Sequence, residues 1–297
     1  MDNSIKEKIK NHILEHGFLL EEETKNILEK DNWRCERSTH FQDQDEPNKS
    51  REIDVTALKY EWYNNFEPQF RVGIRFDLVV ECKSYNDIII FLSTQKTRED
   101  LEIFLAKELI NFLSPYDSLY IPDKENPNSK HILSVEEYLE INKYHHFFNE
   151  NRKATNLVLA RVKDNYRFSA NIYQETIIPI IKAILSHKQK LKNHVDILSK
   201  GKFLKSFGFL IPVLVTDNKF YEAFFENNEL IIEEREYLQF ITDYRSRNVD
   251  GRFQIDIVNK KYLEKYLQKK LKNTITQLSG IILNKFNEII KYQKLSG

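Results

Sequence analysis

The clearest pattern in the chain is a run of apolar residues at every second position from Phe70 to Cys82. The apolar positions are Phe70, Val72, Ile74, Phe76, Leu78, Val80 and Cys82. A period of two predicts a β-strand with one buried face. The charged residues between them are expected on the other face, which is either a solvated surface or a site.

A second arm precedes this strand and is separated from it by Asn64 to Gln69, a segment of turn-forming residues. A hairpin folded symmetrically about Glu67 and Pro68 would place Asp54 across from Glu81. Directly opposed side chains in such a pair lie about 5 Å apart at Cβ. Two carboxylates at that separation can hold one divalent cation, and carboxylate oxygens suit Mg²⁺ or Mn²⁺.

Lys83 lies two residues beyond Glu81 and is expected on the same face of the strand, about 7 Å further along. There it could orient a water molecule or hold a phosphoryl oxygen. The alternative is a solvated face with salt bridges and no chemistry.

Together, Asp54 in REIDV and Glu81-Cys82-Lys83 in LVVECKS resemble the signature of the PD-(D/E)xK phosphodiesterase superfamily. Ile53 stands where the name-giving proline of that family lies. The resemblance implies a restriction-endonuclease-like fold. It also implies that Asp54 and Glu81 bind Mg²⁺, that the main-chain carbonyl of Cys82 joins them, and that Lys83 assists the attacking water.

Two further acids are candidates through the same resemblance, because members of that family often carry an acid on the first core helix and another in the loop before the motif. A helix is predicted from Leu19 to Lys30, where Glu21 is the best match. Consecutive glutamates near a helix N-terminus are also favoured by the helix dipole alone. Asp43 is the candidate in the loop, for which a solvated position is the alternative.

The remaining periodicity predicts an α/β fold: a restriction-endonuclease-like mixed sheet flanked by helices, with a helical insertion and a helical C-terminal extension. One nuclease-fold domain is expected, its core covering about 19–84 and 171–258, with the insertion at about 95–164 and the C-terminal segment at about 260–294. Helices are predicted over 98–113, 134–148 and 171–190, and a helix with a break near Gly280 over 260–294. Further strands are predicted at 33–41, 88–92, 156–162, 207–216, 230–232 and 253–258.

Within these elements, the apolar strand 207–216 is expected to be covered on both faces as the fourth strand of the sheet. Asp256 alternates with apolar neighbours, so it is expected to point away from the core. His145 and His146 are expected to pack, because adjacent residues of a helix point apart and no acid or cysteine lies at ligand spacing.

A basic patch near the C-terminus is the candidate contact with a nucleic-acid backbone. Its proposed ligands are Lys265, Lys269 and Lys270. A solvated helix face is the alternative. The apolar positions of the same segment could pack on the body or on a second subunit.

Composition narrows the classes of function. The 297 residues carry no net formal charge, so any contact with a polyanion must be local. Seven glycines and no Gly-rich fingerprint argue against a P-loop or Rossmann site. Two cysteines outside any C-x-x-C indicate buried thiols. The start lacks the apolar core of a signal peptide and no apolar run reaches 18 residues, so we expect a soluble cytoplasmic protein without a membrane partner.

The sequence therefore predicts a Mg²⁺- or Mn²⁺-dependent nuclease. The resemblance favours DNA over RNA as substrate and is consistent with restriction or antiphage defence. A homodimer or a partner protein could assemble through the insertion or the C-terminal helix. Two alternatives stay open: a nucleic-acid-binding or assembly module that keeps the fold without cleaving, and an unrelated α/β protein with a fortuitous Glu-x-Lys.

Overall fold

A large mixed β-sheet with helices on its faces forms the centre of a computed structural model of the chain. The structure describes residues 4–7, 18–66, 70–85, 87–102, 108–123, 129–161, 167–169, 172–201 and 204–294. The predicted mixed α/β class with a C-terminal helix is confirmed.

The strands have the following bounds: β1 Arg34–Gln42, β2 Ser50–Phe66, β3 Phe70–Lys83, β4 Ile88–Gln95, β5 Phe112–Leu113, β6 Ser118–Pro122, β7 Lys130–Ser134, β8 Arg152–Arg161, β9 Arg167–Ser169, β10 Leu204–Thr216, β11 Phe220–Glu226, β12 Glu229–Arg235, β13 Tyr237–Arg245 and β14 Asp250–Asn259. The helices are α1 Phe18–Lys30, α2 Arg98–Leu101, α3 Val135–Leu139, α4 Ile172–Ser199, α5 Leu263–Lys265 and α6 Lys272–Lys294. Short 3₁₀ turns occupy Ile141–Lys143, His146–Asn149 and Lys260–Tyr262, and a π-helical stretch occupies Tyr266–Leu271.

The order of strands along the large sheet is β1-β2-β3-β10-β14-β13-β8-β4-β11-β12. Strands β1, β2 and β3 are antiparallel neighbours, and β10 then runs parallel to β3. Parallel neighbours need a crossover connection. Helix α4 lies directly before β10 and packs on it. Strand β10 is buried along nearly its whole length, which confirms the predicted strand covered on both faces.

The two largest hydrophobic clusters among the described residues lie on the two faces of this sheet. One contains the Val72-to-Cys82 face of β3 together with apolar residues of α1 and α6. The other contains Val79, Leu210 and the buried residues of α4. Strand β3 is therefore covered on both sides, so of the two alternatives for its polar face, a solvated surface or a site, the solvated surface is wrong.

Several predicted helices are shorter than expected. The predicted helix 98–113 is helical only over α2 in the part that the structure describes, and Phe112–Leu113 pairs with β10 as a strand. The predicted helix 134–148 breaks after α3, where Glu140 adopts a left-handed φ of 53°. The expected break near Gly280 is wrong, because α6 runs through it; the irregularity lies at Tyr266–Leu271 instead.

Strands were missed or assigned differently at the far end of the sheet. Strands β11 and β13 were not predicted. Strand β8 lies in the segment expected to be an insertion, yet it pairs with β4 and β13 inside the large sheet. Before α1 the structure describes residues 4–7, which are helical.

Both cysteines are free; Cys82 is buried, as predicted, whereas Cys35 is only partly buried. No helix in the described part of the chain is long and apolar enough to cross a membrane.

Candidate functional site

The register of the β2–β3 hairpin brings the predicted acids together. Val55 pairs with Val80, so the next residues along the two strands are Asp54 and Glu81. This is the register that symmetry about Glu67 and Pro68 predicted, although those turn residues lie outside the described part of the chain. This register holds from the Val55–Val80 pair as far as Tyr63. Between Tyr63 and Phe66, closer to the turn, the pairing shifts.

Where β2 and β3 separate, the side chain of Asp54 accepts a hydrogen bond from the main chain of β3. Its Oδ2 accepts a hydrogen bond of 2.7 Å from the main-chain N–H of Cys82. Burial raises the pKa of Asp54, while this hydrogen bond and the charge of Lys83 lower it. The thiol of Cys82 points to the opposite face, 3.6 Å from the hydroxyl of Thr24 on α1.

Glu81 carries the most perturbed carboxylate of the site. It is 3% exposed, and burial followed by the charge of Asp54 raises its pKa to about 7. One oxygen, Oε1, lies 2.6 Å from Lys83 Nζ. The other, Oε2, is buried and has no hydrogen-bond partner. A buried acceptor left without a donor costs about 1–3 kcal/mol, more when it is charged, so this oxygen is poised to receive a cation or a proton.

Lys83 supplies the positive charge that opposed carboxylates require. Burial lowers its pKa, but the neighbouring Glu81 carboxylate and the hydrogen bond to it raise the pKa further, so the net direction is upward. The ammonium group is therefore charged at neutral pH. It can donate hydrogen bonds but cannot act as a general base.

Glu21 lies near this pair, as the resemblance implied. Burial and then the charge of Asp54 raise the pKa of Glu21, whereas the Arg37 guanidinium lowers it. Arg37 on β1 bridges Glu21 and Glu22, at 3.3 and 2.5 Å. Sequence reasoning missed Arg37, since one basic residue on an alternating strand has no distinguishing signal.

The segment after Lys83 is held by groups that were also missed. The main-chain N–H of Tyr85 donates to Asn218 Oδ1 at 2.6 Å, and the Tyr85 hydroxyl contacts Thr176 near the start of α4. Tyr85 is two residues beyond Lys83, so extending the alternation by one step would have pointed to it.

The donor set fits a divalent cation in part. Among the described residues, no group of three or more His, Cys, Asp or Glu side chains forms a metal-binding set. Asp54 and Glu81 provide two carboxylates, one with a buried and unpartnered oxygen. Mg²⁺ is commonly bound by one or two carboxylates and keeps several waters, so a pair of acids is sufficient for it.

Asp43 does not belong to this cluster, and the expectation of a solvated position is also wrong. Its side chain is fully buried and binds Lys182 at 2.8 Å and Arg51. The charge of Lys182 is thereby compensated inside the protein. The two residues lie 139 positions apart, so neither partner was visible locally.

The C-terminal lysines are placed differently from one another. Lys265 and Lys269 are exposed. Lys270 pairs with Glu150 at 2.5 Å and lies 4.3 Å above the ring of Tyr237, so its charge is already compensated.

A second buried polar cluster corrects two sequence expectations. Asp256 is completely buried and does not point away from the core. It accepts hydrogen bonds from Tyr266 and Tyr237 at 2.6 and 3.1 Å, and its Oδ2 lies 2.6 Å from His146 Nε2. The His pair does pack in the interior, as predicted, but His146 has an acid partner that lies 110 residues away.

In comparisons with protein-family models, with curated proteins and with solved structures, no match to this chain was found.

Proposed function

We propose that the chain has a restriction-endonuclease-like core and is a metal-dependent nuclease that hydrolyses phosphodiester bonds in nucleic acid, with DNA preferred over RNA. The observation that carries the proposal is the pair Asp54 and Glu81 at the parting ends of β2 and β3, with Lys83 beside them and one oxygen of Glu81 left without a donor. The succession of α1, three antiparallel strands, α4 and a parallel β10 supports the fold, with β4 to β9 and the short helices α2 and α3 inserted between β3 and α4.

Each side chain has a defined task in this proposal. Asp54 and Glu81 hold the cation, and Glu21 lies close enough to add negative charge. A bound Mg²⁺ supplies Lewis-acid chemistry, lowering the pKa of water and neutralising charge on the phosphate. Lys83, which stays protonated, positions the attacking water or a phosphoryl oxygen.

Substrate preference is tested by cleavage of supercoiled plasmid, single-stranded DNA and RNA, each with Mg²⁺, Mn²⁺ or EDTA. The variants are Asp54→Asn and Lys83→Met. Their matched controls are Asp243→Asn and Lys219→Met, whose side chains are 86% and 67% exposed. We expect metal-dependent cutting that falls at least about 100-fold in the two site variants and stays unchanged in the controls.

Metal binding is measured separately, by the rise in melting temperature on adding Mg²⁺. Wild type and Lys83→Met are expected to show the rise, and Asp54→Asn to lose it. The proposal is wrong if purified wild type cuts none of the three substrates with either metal. Cutting that Asp54→Asn leaves intact would also contradict it.

A further inference from the structure

The last strand of the large sheet, β12, leaves its outer edge open. Among the described strands it pairs only with β11. An edge strand presents unpaired N–H and C=O groups that can pair with another strand. At seven residues, β12 is longer than the shortest strands of this sheet, so the open edge is substantial.

The hairpin turn determines which residues point outward. Asn227 and Asn228 have φ values of 50° and 66° and form a two-residue turn of type I′. The closing pair of such a turn, Glu226 and Glu229, exchanges both hydrogen bonds, and bonded pairs then alternate along the ladder. The main-chain groups of every second residue therefore face the open edge. Those residues are Leu230, Ile232 and Glu234.

The same hairpin carries an exposed apolar patch. Phe225, Leu230 and Ile232 are 74%, 58% and 56% exposed. Leu230 pairs with Phe225, and Ile232 lies two residues beyond Leu230, so all three side chains stand on one face. Contiguous apolar surface of this kind commonly marks an interaction site.

Charge complementarity indicates what this edge fits. If a second copy of β12 pairs antiparallel with Ile232 opposite itself, Glu229 of each copy faces Arg235 of the other. Within its own copy Arg235 also lies 3.4 Å from Glu222 and 3.6 Å from Glu233, so Glu229 of the partner would join an existing ion-pair network. This register uses the outward main-chain groups of Leu230, Ile232 and Glu234. No like charges are directly opposed in it, and opposed like charges are destabilising.

Neighbouring registers are less stable, because each either opposes like charges or mismatches the main-chain groups of the two edges. If the two-fold axis passed through Ile231, Glu229 of each copy would lie opposite Glu233 of the other. If it passed through Glu233, the two copies of Glu233 would lie opposite one another. A slip of one residue between the copies sets inward-pointing main-chain groups against outward ones and moves each apolar side chain to the other face.

We propose that two copies of this chain join through their β12 edges, antiparallel, with Ile232 on the two-fold axis. The large sheet then continues across the dimer, and the apolar patches of both copies meet. Such an interface is isologous and closed, so it stops at two subunits. It is separate from the insertion and from the C-terminal helix, and it does not depend on the proposed nuclease activity.

Charge swapping tests the register by sedimentation velocity over about 1–100 µM, a range that brackets typical weak association. Wild type is expected to dimerise. Glu229→Arg is expected to be monomeric because it opposes like charges across the axis. Arg235→Glu is expected to be monomeric for the same reason, and it also removes a cation from the buried Glu222 of its own copy. Their equimolar mixture is expected to dimerise, because the mixed dimer restores both oppositely charged pairs; this also shows that the variants are folded.

Disulfide trapping gives the position of the axis. In a Cys35→Ser background, Ile232→Cys is expected to form a covalent dimer on mild oxidation, since opposed residues of a bonded pair lie about 5.5 Å apart at Cα. Ile231→Cys is the matched control and should cross-link much more slowly. The proposal is overturned if wild type stays monomeric over the whole range, if Glu229→Arg dimerises as wild type does, or if Ile231→Cys cross-links as fast as Ile232→Cys.

Discussion

Replacing Glu81 with glutamine probes the electrostatics of the candidate site without any assumption about substrate. Glutamine has the shape of the protonated acid and can still contact Lys83, but it carries no charge. In the metal-free protein, burial and Asp54 raise the pKa of Glu81 from 4.5 to about 7. The charged form is therefore disfavoured in the folded state relative to the unfolded chain.

The magnitude follows from linkage. One pKa unit corresponds to about 1.4 kcal/mol, so the difference for Glu81 is roughly 3 kcal/mol. Below pH 4.5 both states carry the proton, and Glu81 costs nothing. Between pH 4.5 and 7 only the unfolded chain loses the proton, so the free energy of unfolding of wild type falls as pH rises. Above pH 7 the loss is complete.

Urea unfolding in EDTA at pH 5, 6, 7 and 8 measures this difference. Glu81→Gln is expected to be more stable than wild type by roughly 2–3 kcal/mol at pH 8, and by a small fraction of that at pH 5. The matched control is Glu36→Gln, an exposed glutamate on β1. A difference between wild type and Glu81→Gln that does not change with pH would refute the reasoning, as would a glutamine variant that is the less stable protein at pH 8.

Two buried carboxylates with polar partners give further predictions, all measured by urea unfolding. Asp256→Asn is expected to cost roughly 3 kcal/mol because it removes the charge that His146 and two tyrosine hydroxyls bind. Lys182→Met is expected to cost roughly 3–5 kcal/mol because it leaves the Asp43 carboxylate buried with one cation fewer. Burial raises the pKa of Asp43, but hydrogen bonds from Lys182 and Arg51 hold it well below its usual range. The stabilisation that the charged Asp43 contributes is present above pH 4 and is lost as pH falls. In Asp43→Asn the free energy of unfolding should therefore fall less below pH 4 than it does in wild type. An equally steep fall in both proteins would contradict this.

Local patterning was most informative where a single strand pair sets the geometry. The alternation from Phe70 to Lys83 and the symmetric turn were sufficient to predict that Val55 opposes Val80, and hence that Asp54 meets Glu81. The side-chain period of a strand is two, so register and facing direction follow together from the sequence. Helix α1 was equally accessible, because apolar spacing and the following turn lie within a few residues.

Patterning was wrong where distant residues decide the environment. Asp43 lies in a polar segment, and Asp256 alternates with apolar residues as a surface residue of a strand does, yet both are buried. Each is stabilised by a cation or a donor more than 100 residues away, Lys182 for Asp43 and His146 for Asp256. Desolvation of a carboxylate is tolerated only with such partners, and no local signal reveals them.

The sequence by itself determined the hairpin, its register, the long buried strand β10 and the residues that resemble a nuclease motif. Only the tertiary structure decided that the second face of β3 is covered by α4, that β8 belongs to the main sheet, and that the β12 edge stays open. The physical reason is that periodicity reports which side of an element is apolar, whereas the packing of elements far apart in the chain decides what covers each side.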